Sequence, residues 1–303
     1  MSWREFTLGD AIHIKHGFAF KSQYFADVGQ YIVLTPGNFN EEGGFRLRPK
    51  KDRAYVGDIP KSFVLSEGDL IVAMTEQGPG LLGSSALIPE SDRFLHNQRL
   101  GLIDELDSSK IRKRFLYYLF NTMSVRGQIR GSASGTKVRH TSPERIYRVR
   151  VRVPDAHEQE RIADTLSAYD DLIENNLRRI QLLEQAARLL YKEWFINFRF
   201  PGHEHVKSDD GVPEGWKRKT LGELTSFLKR GIAPHYDDDA EGLVINQKCI
   251  RNGRLNLNLA RHQAREFGPE RQVQVGDVLV NSTGEGTLGR IAQVKAPVEN
   301  CTV

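Results

Sequence analysis

The chain repeats itself, and this constrains its fold more than any single motif does. EGDLIVAMTEQGPGLLG at 67–83 aligns with VGDVLVNSTGEGTLG at 275–289, with two more residues in the first loop. Gly68-Asp69 stands opposite Gly276-Asp277, and Thr75 opposite Thr283. WREFTLGD at 3–10 matches WKRKTLGE at 216–223, where Trp3, Thr7, Leu8 and Gly9 face Trp216, Thr220, Leu221 and Gly222. FRLRP at 45–49 loosely answers GRLNL at 253–257. An offset of about 206–214 residues implies one domain and the start of a second copy.

Gly78, Gly80 and Gly83 fit G-x-G-x-x-G after the strand-like run DLIVAMT, the outline of a dinucleotide-binding turn. A helix would have to run on from that turn, yet SSALIPE places Pro89 six residues beyond Gly83. SSALI therefore reads as a strand, and the motif as a hairpin loop. In the second copy RIAQVKAP again runs as a strand to Pro297. NAD, ATP and S-adenosylmethionine are not expected ligands, and no cofactor is called for.

Between the copies lies a rod. Apolar residues recur at Ile162, Leu166, Tyr169, Ile173, Leu177, Ile180, Leu183, Ala187, Leu190 and Trp194. The steps of three and four give a helical stripe close to the 3.5-residue coiled-coil period. Asp155 is the expected N-cap, with Glu158 placed as in a capping box. About forty residues predict a helix on the order of 60 Å long, with a stripe that must pack against another helix. RFPGHEHVKSDDGVPEGW then reads as a linker, and its His203-Glu204-His205 as exposed linker residues; no metal site is expected.

Charged residues at 27% and hydrophobic residues at 39% describe a water-soluble chain. The opening MSWREFTLGD has no secretory h-region, and no apolar stretch approaches the roughly 18 residues of a membrane span. Cys249 and Cys301 lie far apart, so an intracellular, cytoplasmic protein without disulfides is expected. The net charge is only +4, but Lys110–Arg152 holds twelve Lys or Arg against the single acid Glu144. From Asp155 to Phe195 nine acids face five bases. A basic block beside an acidic helix points to a polyanion, or else to a solvated basic face.

These features resemble the specificity subunit of type I restriction–modification systems. The residues that carry the resemblance are TLGD, GFAFKS at 17–22, GDLIVAMT with its glycine loop, GSASGTKVRH at 131–140, the helix entry P-x-x-x-Q-x-x-I, LIENN and LYKEWF. The resemblance implies an α+β fold, in which repeated mixed α/β target recognition domains are joined by a long coiled-coil-type helix. Residues 1–153 would be the first recognition domain, 154–200 the central helix, 201–215 a linker and 216–303 an incomplete second recognition domain. A full second copy would reach about residue 366 and its helix about 410. The family's helices pair antiparallel and space two domains that each read half of a split target on double-stranded DNA. Two adenine-N6 methyltransferase subunits dock on them, and translocating nuclease subunits can join. The helix entry here, VPDAHEQ, lacks the richer proline and leucine cluster usual in that family.

Specificity on DNA needs side chains at base edges, while phosphate contacts supply affinity. In IYRVRVRV at 146–153, Arg148, Arg150 and Arg152 alternate with valines, presenting guanidinium groups to phosphate, to water or to the acidic helix. GSASGTKVRH offers Lys137, Arg139 and His140 after small residues that permit close approach, although its spacing fails the ATP-binding P-loop pattern. The hairpin loop offers Thr75, Glu76 and Gln77; Gln suits adenine and Glu suits cytosine. Lys21 and Ser22 in GFAFKS, and Gln98 and Arg99 in HNQRL, complete the candidates. No lysine has an acid two residues before it, no Pro-Pro methyltransferase turn occurs, and no G-x-S-x-G elbow occurs. The chain reads as a non-catalytic recognition module. The alternatives are a stand-alone DNA-binding protein acting as a dimer on the same scaffold, and an enzyme with an unrecognised site.

Overall fold

A computed structural model describes residues 3–78 and 80–303. Pro79 in the glycine loop and the first two residues of MSWREFTLGD lie outside the described residues. The chain divides into two units, Met1–Tyr191 and Lys192–Val303.

The first unit opens with β1 (Arg4–Thr7), β2 (Ile12–His16), β3 (Phe25–Ala26), β4 (Tyr31–Val33), β5 (Ala54–Tyr55) and β6 (Leu70–Ala73). It continues with β7 (Thr75–Glu76), β8 (Ser85–Leu87), β9 (Phe94–Leu95) and β10 (Leu100–Leu106). Helices α1 (Lys113–Phe120) and α2 (Met123–Gly131), β11 (Arg139–His140), α3 (Pro143–Tyr147), β12 (Arg150–Val153) and α4 (Ala156–Tyr191) complete it. An antiparallel sheet in the order β2-β10-β6-β8 forms the centre, with a second sheet in the order β3-β5-β4-β9. The central strand β6 reads LIVA without alternation because both of its faces are buried. Leu70 and Val72 pack with Ile14, Leu116, Phe120 and Ile129, while Ile71 and Ala73 pack with Leu34, Phe39, Leu65 and Phe94. β6 and β8 pair Leu70↔Leu87, Ile71↔Ala86 and Val72↔Ser85, so the glycine motif is a hairpin loop.

Helix α4 runs for 36 residues, roughly 54 Å at 1.5 Å per residue. Asp155 Oδ1 caps it by accepting the Glu158 amide at 3.0 Å, whereas the Glu158 carboxylate pairs with Arg161 rather than reaching back. Its first turns dock on α1 through Arg112–Glu160 and Arg114–Asp164, each at 2.9 Å, and through Tyr118 Oη donating to Asp170 at 2.8 Å. The buried Gln159 fills the joint, accepting the Arg112 amide and donating to the Lys110 and Pro154 carbonyls. Burial and the Asp170 carboxylate raise the Tyr118 phenol well above its ordinary range. Beyond this joint Ile173, Leu177, Ile180, Leu183 and Leu190 are exposed. Trp194 falls past α4, where Lys192–Ile196 winds with π spacing, so the stripe's last step leaves the α-helical register.

The second unit repeats part of the first unit's strand pairing and turn bonding. Val278–Val280 pairs with Ile291–Gln293 as β6 pairs with β8. The amide of Gly289 reaches the Asn281 carbonyl as that of Gly83 reaches Ala73, both at 2.9 Å. Leu243–Val244 runs parallel to Cys301–Thr302 as β4 runs to β9. Thr220 and Glu223 cap a turn as Thr7 and Asp10 do. Residues 201–215 hold a small hairpin, Ser208–Asp209 against Val212–Pro213, and Trp216 stacks on Phe200 with ring centroids 5.7 Å apart. Val278 is 57% exposed, whereas its counterpart Leu70 is fully buried under α1 and α2. Among the described residues nothing corresponding to those helices covers this face.

Candidate nucleic-acid interface

Three segments leave the central sheet at one end, because β10 pairs Gly101↔His16 and Leu100↔Ala73. They are the segment after β2, the segment after β6 and the segment before β10. The first lies directly against the third. Phe18 N donates to His96 O at 2.9 Å, and Gln98 N donates to Phe18 O at 3.0 Å. Gly17 is required there, since a Cβ would stand 2.0 Å from the Asn97 carbonyl oxygen. GFAFKS thus starts beside HNQRL, and Lys21, Ser22, Gln98 and Arg99 are all exposed. The Arg99 carbonyl accepts the Met74 amide at 3.0 Å, and the Met74 carbonyl accepts the Thr141 amide at 2.9 Å. β11 pairs with β7 in the register Arg139↔Glu76 and His140↔Thr75. Segments up to about 120 residues apart in the chain therefore meet at one rim, an outcome of nonlocal strand pairing.

The segment after β6 and the 131–140 loop enclose a cleft of ≈ 460 Å³ lined by Glu76, Gln77, Gly78, Gly135, Thr136, Lys137 and Arg139. Gln77, Lys137 and Arg139 are exposed donors, and neither Lys137 nor Arg139 has an ion-pair partner among the described residues. Gly135 has φ +92° and lies so near Val138 that a Cβ would stand 2.1 Å from its carbonyl oxygen, so the turn that presents Lys137 needs glycine. His140 is exposed and tied through its backbone to Ser134, and Thr75 is half-buried. Glu76 differs from its reading as a base acceptor. It is buried, and its Oε2 accepts the amides of Gly80, Leu81 and Leu82 at 3.1, 3.0 and 2.8 Å. That carboxylate oxygen is spent on its own loop.

The basic block splits into two populations. Arg112 and Arg114 pair with α4, Lys110 pairs with Asp107, Lys113 donates to the Gly68 carbonyl, and Arg145 holds Ser134 Oγ. Burial, with Arg130 nearby, pulls the Arg126 guanidinium below its ordinary range, and it donates to the Gly80 and Glu41 carbonyls. These cations are structural. Arg148, Arg150 and Arg152 remain exposed, with Val149, Val151 and Val153 buried beneath. They sit at the end of α3 and on β12, which pairs with β1 in a separate two-stranded sheet. Gln128 grips the Arg150 backbone by two bonds of 2.9 Å, and Arg152 lies over the Trp3 ring at 5.8 Å. Arg126, Gly135 and Thr136 escaped the sequence reading. The last two lie inside GSASGTKVRH and could have been found there, whereas nothing local marks Arg126.

Residues 1–185 match the sequence model of the family described as the type I restriction modification DNA specificity domain. The chain belongs to that family. It is 34% identical over 138 residues to the specificity subunit of the type I restriction enzyme MjaIX of Methanocaldococcus jannaschii, covering 44% of this chain and 32% of that protein. It is 26% identical over 316 aligned residues to the EcoBI specificity subunit of Escherichia coli, covering 98% of this chain and 63% of the relative. The chain thus spans about a third of one relative's length and just under two thirds of the other's. The fold matches the crystal structure of a type I restriction–modification S subunit from M. genitalium with a TM-score of 0.55 at 16% identity, over 100% of this chain and 71% of that one. The α+β architecture with its long helix is therefore the fold of this specificity family. No helix among the described residues is long and apolar enough to cross a membrane.

Proposed function

We propose that this chain is a DNA-recognition subunit of a type I restriction–modification complex, and that its first unit reads one half of a split target at the rim of the central sheet. The observation that carries this is the cleft between the hairpin loop and the 131–140 loop, where Gln77, Lys137 and Arg139 stand exposed together. Gln offers bidentate bonding to adenine, Arg and Lys to guanine, and the glycines let the backbone approach a groove. Arg148, Arg150 and Arg152 supply sequence-independent contacts to phosphate. Membership of the specificity family supports this reading.

Residues 216–303 repeat the first unit's pairing and supply the second reading surface of the bipartite target, with α4 spacing the two. The exposed stripe from Ile173 to Leu190 takes an antiparallel helix, and adenine-N6 methyltransferase subunits dock along the rod. The chain itself performs no chemistry; methylation belongs to its partners, and so does cleavage where a nuclease subunit joins. The test is methylation of a randomised duplex library by this chain reconstituted with its methyltransferase subunits. Two short blocks of fixed bases separated by a spacer of fixed length are expected. Methylation without base preference, or methyl transfer by the purified chain alone, would overturn the proposal.

A further inference from the structure

The hairpin loop has an internal architecture that base reading alone does not require. Three consecutive amides, of Gly80, Leu81 and Leu82, converge on one oxygen of Glu76. Cups of successive amides bind anions, and glycine loops of this kind commonly take a phosphate. Here the chain's own carboxylate fills the cup. Gly80 is held from both ends, giving its amide to Glu76 while its carbonyl accepts from Arg126. The other terminal nitrogen of Arg126 donates to the Glu41 carbonyl. Gly80 has φ +125°, a conformation that other residues adopt only under strain. Glu76 and Arg126 are both buried, and hydrogen bonds replace water at one carboxylate oxygen and at the two terminal guanidinium nitrogens, so removing either side chain strands the backbone groups it holds.

The direction of the neighbouring side chains follows from this. Successive side chains of a strand point to opposite faces, so turning Glu76 inward turns Thr75 and Gln77 away from it. β11 is paired to β7 at Arg139↔Glu76, so the Lys137–Arg139 segment is held beside that strand, and Lys137 and Arg139 line the same cleft as Gln77. The second copy lacks the device. Gly284 follows Thr283 where Glu76 follows Thr75, and Arg290 instead donates to the Gly286 carbonyl at 2.8 Å.

We propose that Glu76 and Arg126 are positioning residues for sequence specificity, locking the glycine loop in the one form that presents Gln77 beside Lys137 and Arg139. This rests on the reading of the cleft as a base-reading surface. The test compares Glu76→Ala, Glu76→Gln, Gly80→Ala and Gln77→Ala in the full chain by two measurements. One is hydrogen exchange at the amides of residues 80–82 and 135–140. The other is the base preference of the reconstituted complex on a randomised duplex. Glu76→Ala should speed exchange in both segments and flatten preference at the same target position as Gln77→Ala, by about tenfold. Glu76→Gln keeps an acceptor for the three amides and should retain most of both. Gly80→Ala keeps Glu76 and Arg126 but strains the φ +125° turn and crowds the Glu41 side chain, whose Cδ would lie 2.8 Å from the added Cβ; it should reproduce Glu76→Ala, which keeps the test open should Glu76→Ala fold poorly. Rapid exchange in Glu76→Ala and Gly80→Ala with base preference unchanged, while Gln77→Ala flattens it, would overturn the positioning role. Unchanged preference in Gln77→Ala would instead overturn the base-reading of the cleft, and this proposal with it.

Discussion

At the scale of single residues, the sequence disclosed which side chains could donate but not which way they faced. Gln77, Lys137 and Arg139 were legible because glycines and small residues flank donors in both loops. Glu76 was not, because alternation assigns faces only once one residue's direction is known, and the amide cup that sets it forms four to six residues further on. His96, the first residue of HNQRL, shows the same dependence on environment. It is fully buried, its Nε2–H donates to the Leu100 carbonyl at 2.9 Å, and its Nδ1 has no hydrogen-bond partner among the described residues. Burial pushes the imidazole down to about 4, with Lys15 adding in the same direction. In the unfolded chain it titrates near 6.5, so between these values the unfolded state binds the extra proton. The stabilisation is complete above about pH 6.5 and is lost as pH falls towards 4, by up to about 3 kcal/mol. His13, raised by its bond to Asp104, acts oppositely, losing its contribution as pH rises through its folded value. Chemical denaturation of wild type and His96→Gln at pH 7.5 and 5.0 separates the two effects. Wild type should lose more stability than the variant over that interval; equal losses would show that burial of His96 is not what the acid limb reports.

At the scale of elements, the long helix was the most legible feature and its end the least. A 3.5-residue apolar period sustained over many turns has no other folded form, and α4 follows it from Ile162 onward. The spacing that included Trp194 gave no sign that Lys192–Ile196 changes to π winding, because a one-residue bulge leaves the apolar order unaltered. The acidic side of the helix also had a local use: it meets Arg112, just before α1, and Arg114 in its first turn. Leu177 remains 62% exposed, and burying such a side chain is worth about 1.5–3 kcal/mol. For the purified chain the available occupant is the same stripe of a second copy. Sedimentation should show concentration-dependent association that Leu177→Glu and Ile180→Glu weaken, because each would bury an unpaired carboxylate. The melting temperature of the first unit should stay unchanged, since those side chains are exposed. A chain that remains monomeric at high concentration would count against the stripe as an interface.

At the scale of the whole molecule, the repeat was readable because both copies keep the residues that make the same hydrogen bonds, from Gly83 and Gly289 to the capped turns at Thr7 and Thr220. The rim was not readable, since it depends on the strand order β2-β10-β6-β8, which no local pattern encodes. That order separates two kinds of surface: the rim with Gln77, Lys137 and Arg139, and the β1–β12 ribbon with Arg150 and Arg152. Their energetics should separate too. A phosphate contact releases counterions whatever the sequence, so Arg150→Ala or Arg152→Ala should weaken binding to every duplex alike and lower the salt slope by about 1. A base contact is lost at one position only, so Arg139→Ala should relax a single base of the target by about 1–3 kcal/mol, leaving the other positions unchanged. Binding of the reconstituted complex to a randomised library, read per position at two salt concentrations, measures both quantities at once. If the ribbon arginines change the preferred bases while Arg139 changes only the salt slope, then the ribbon enters the groove and the rim rides on the backbone, the reverse of the arrangement proposed here.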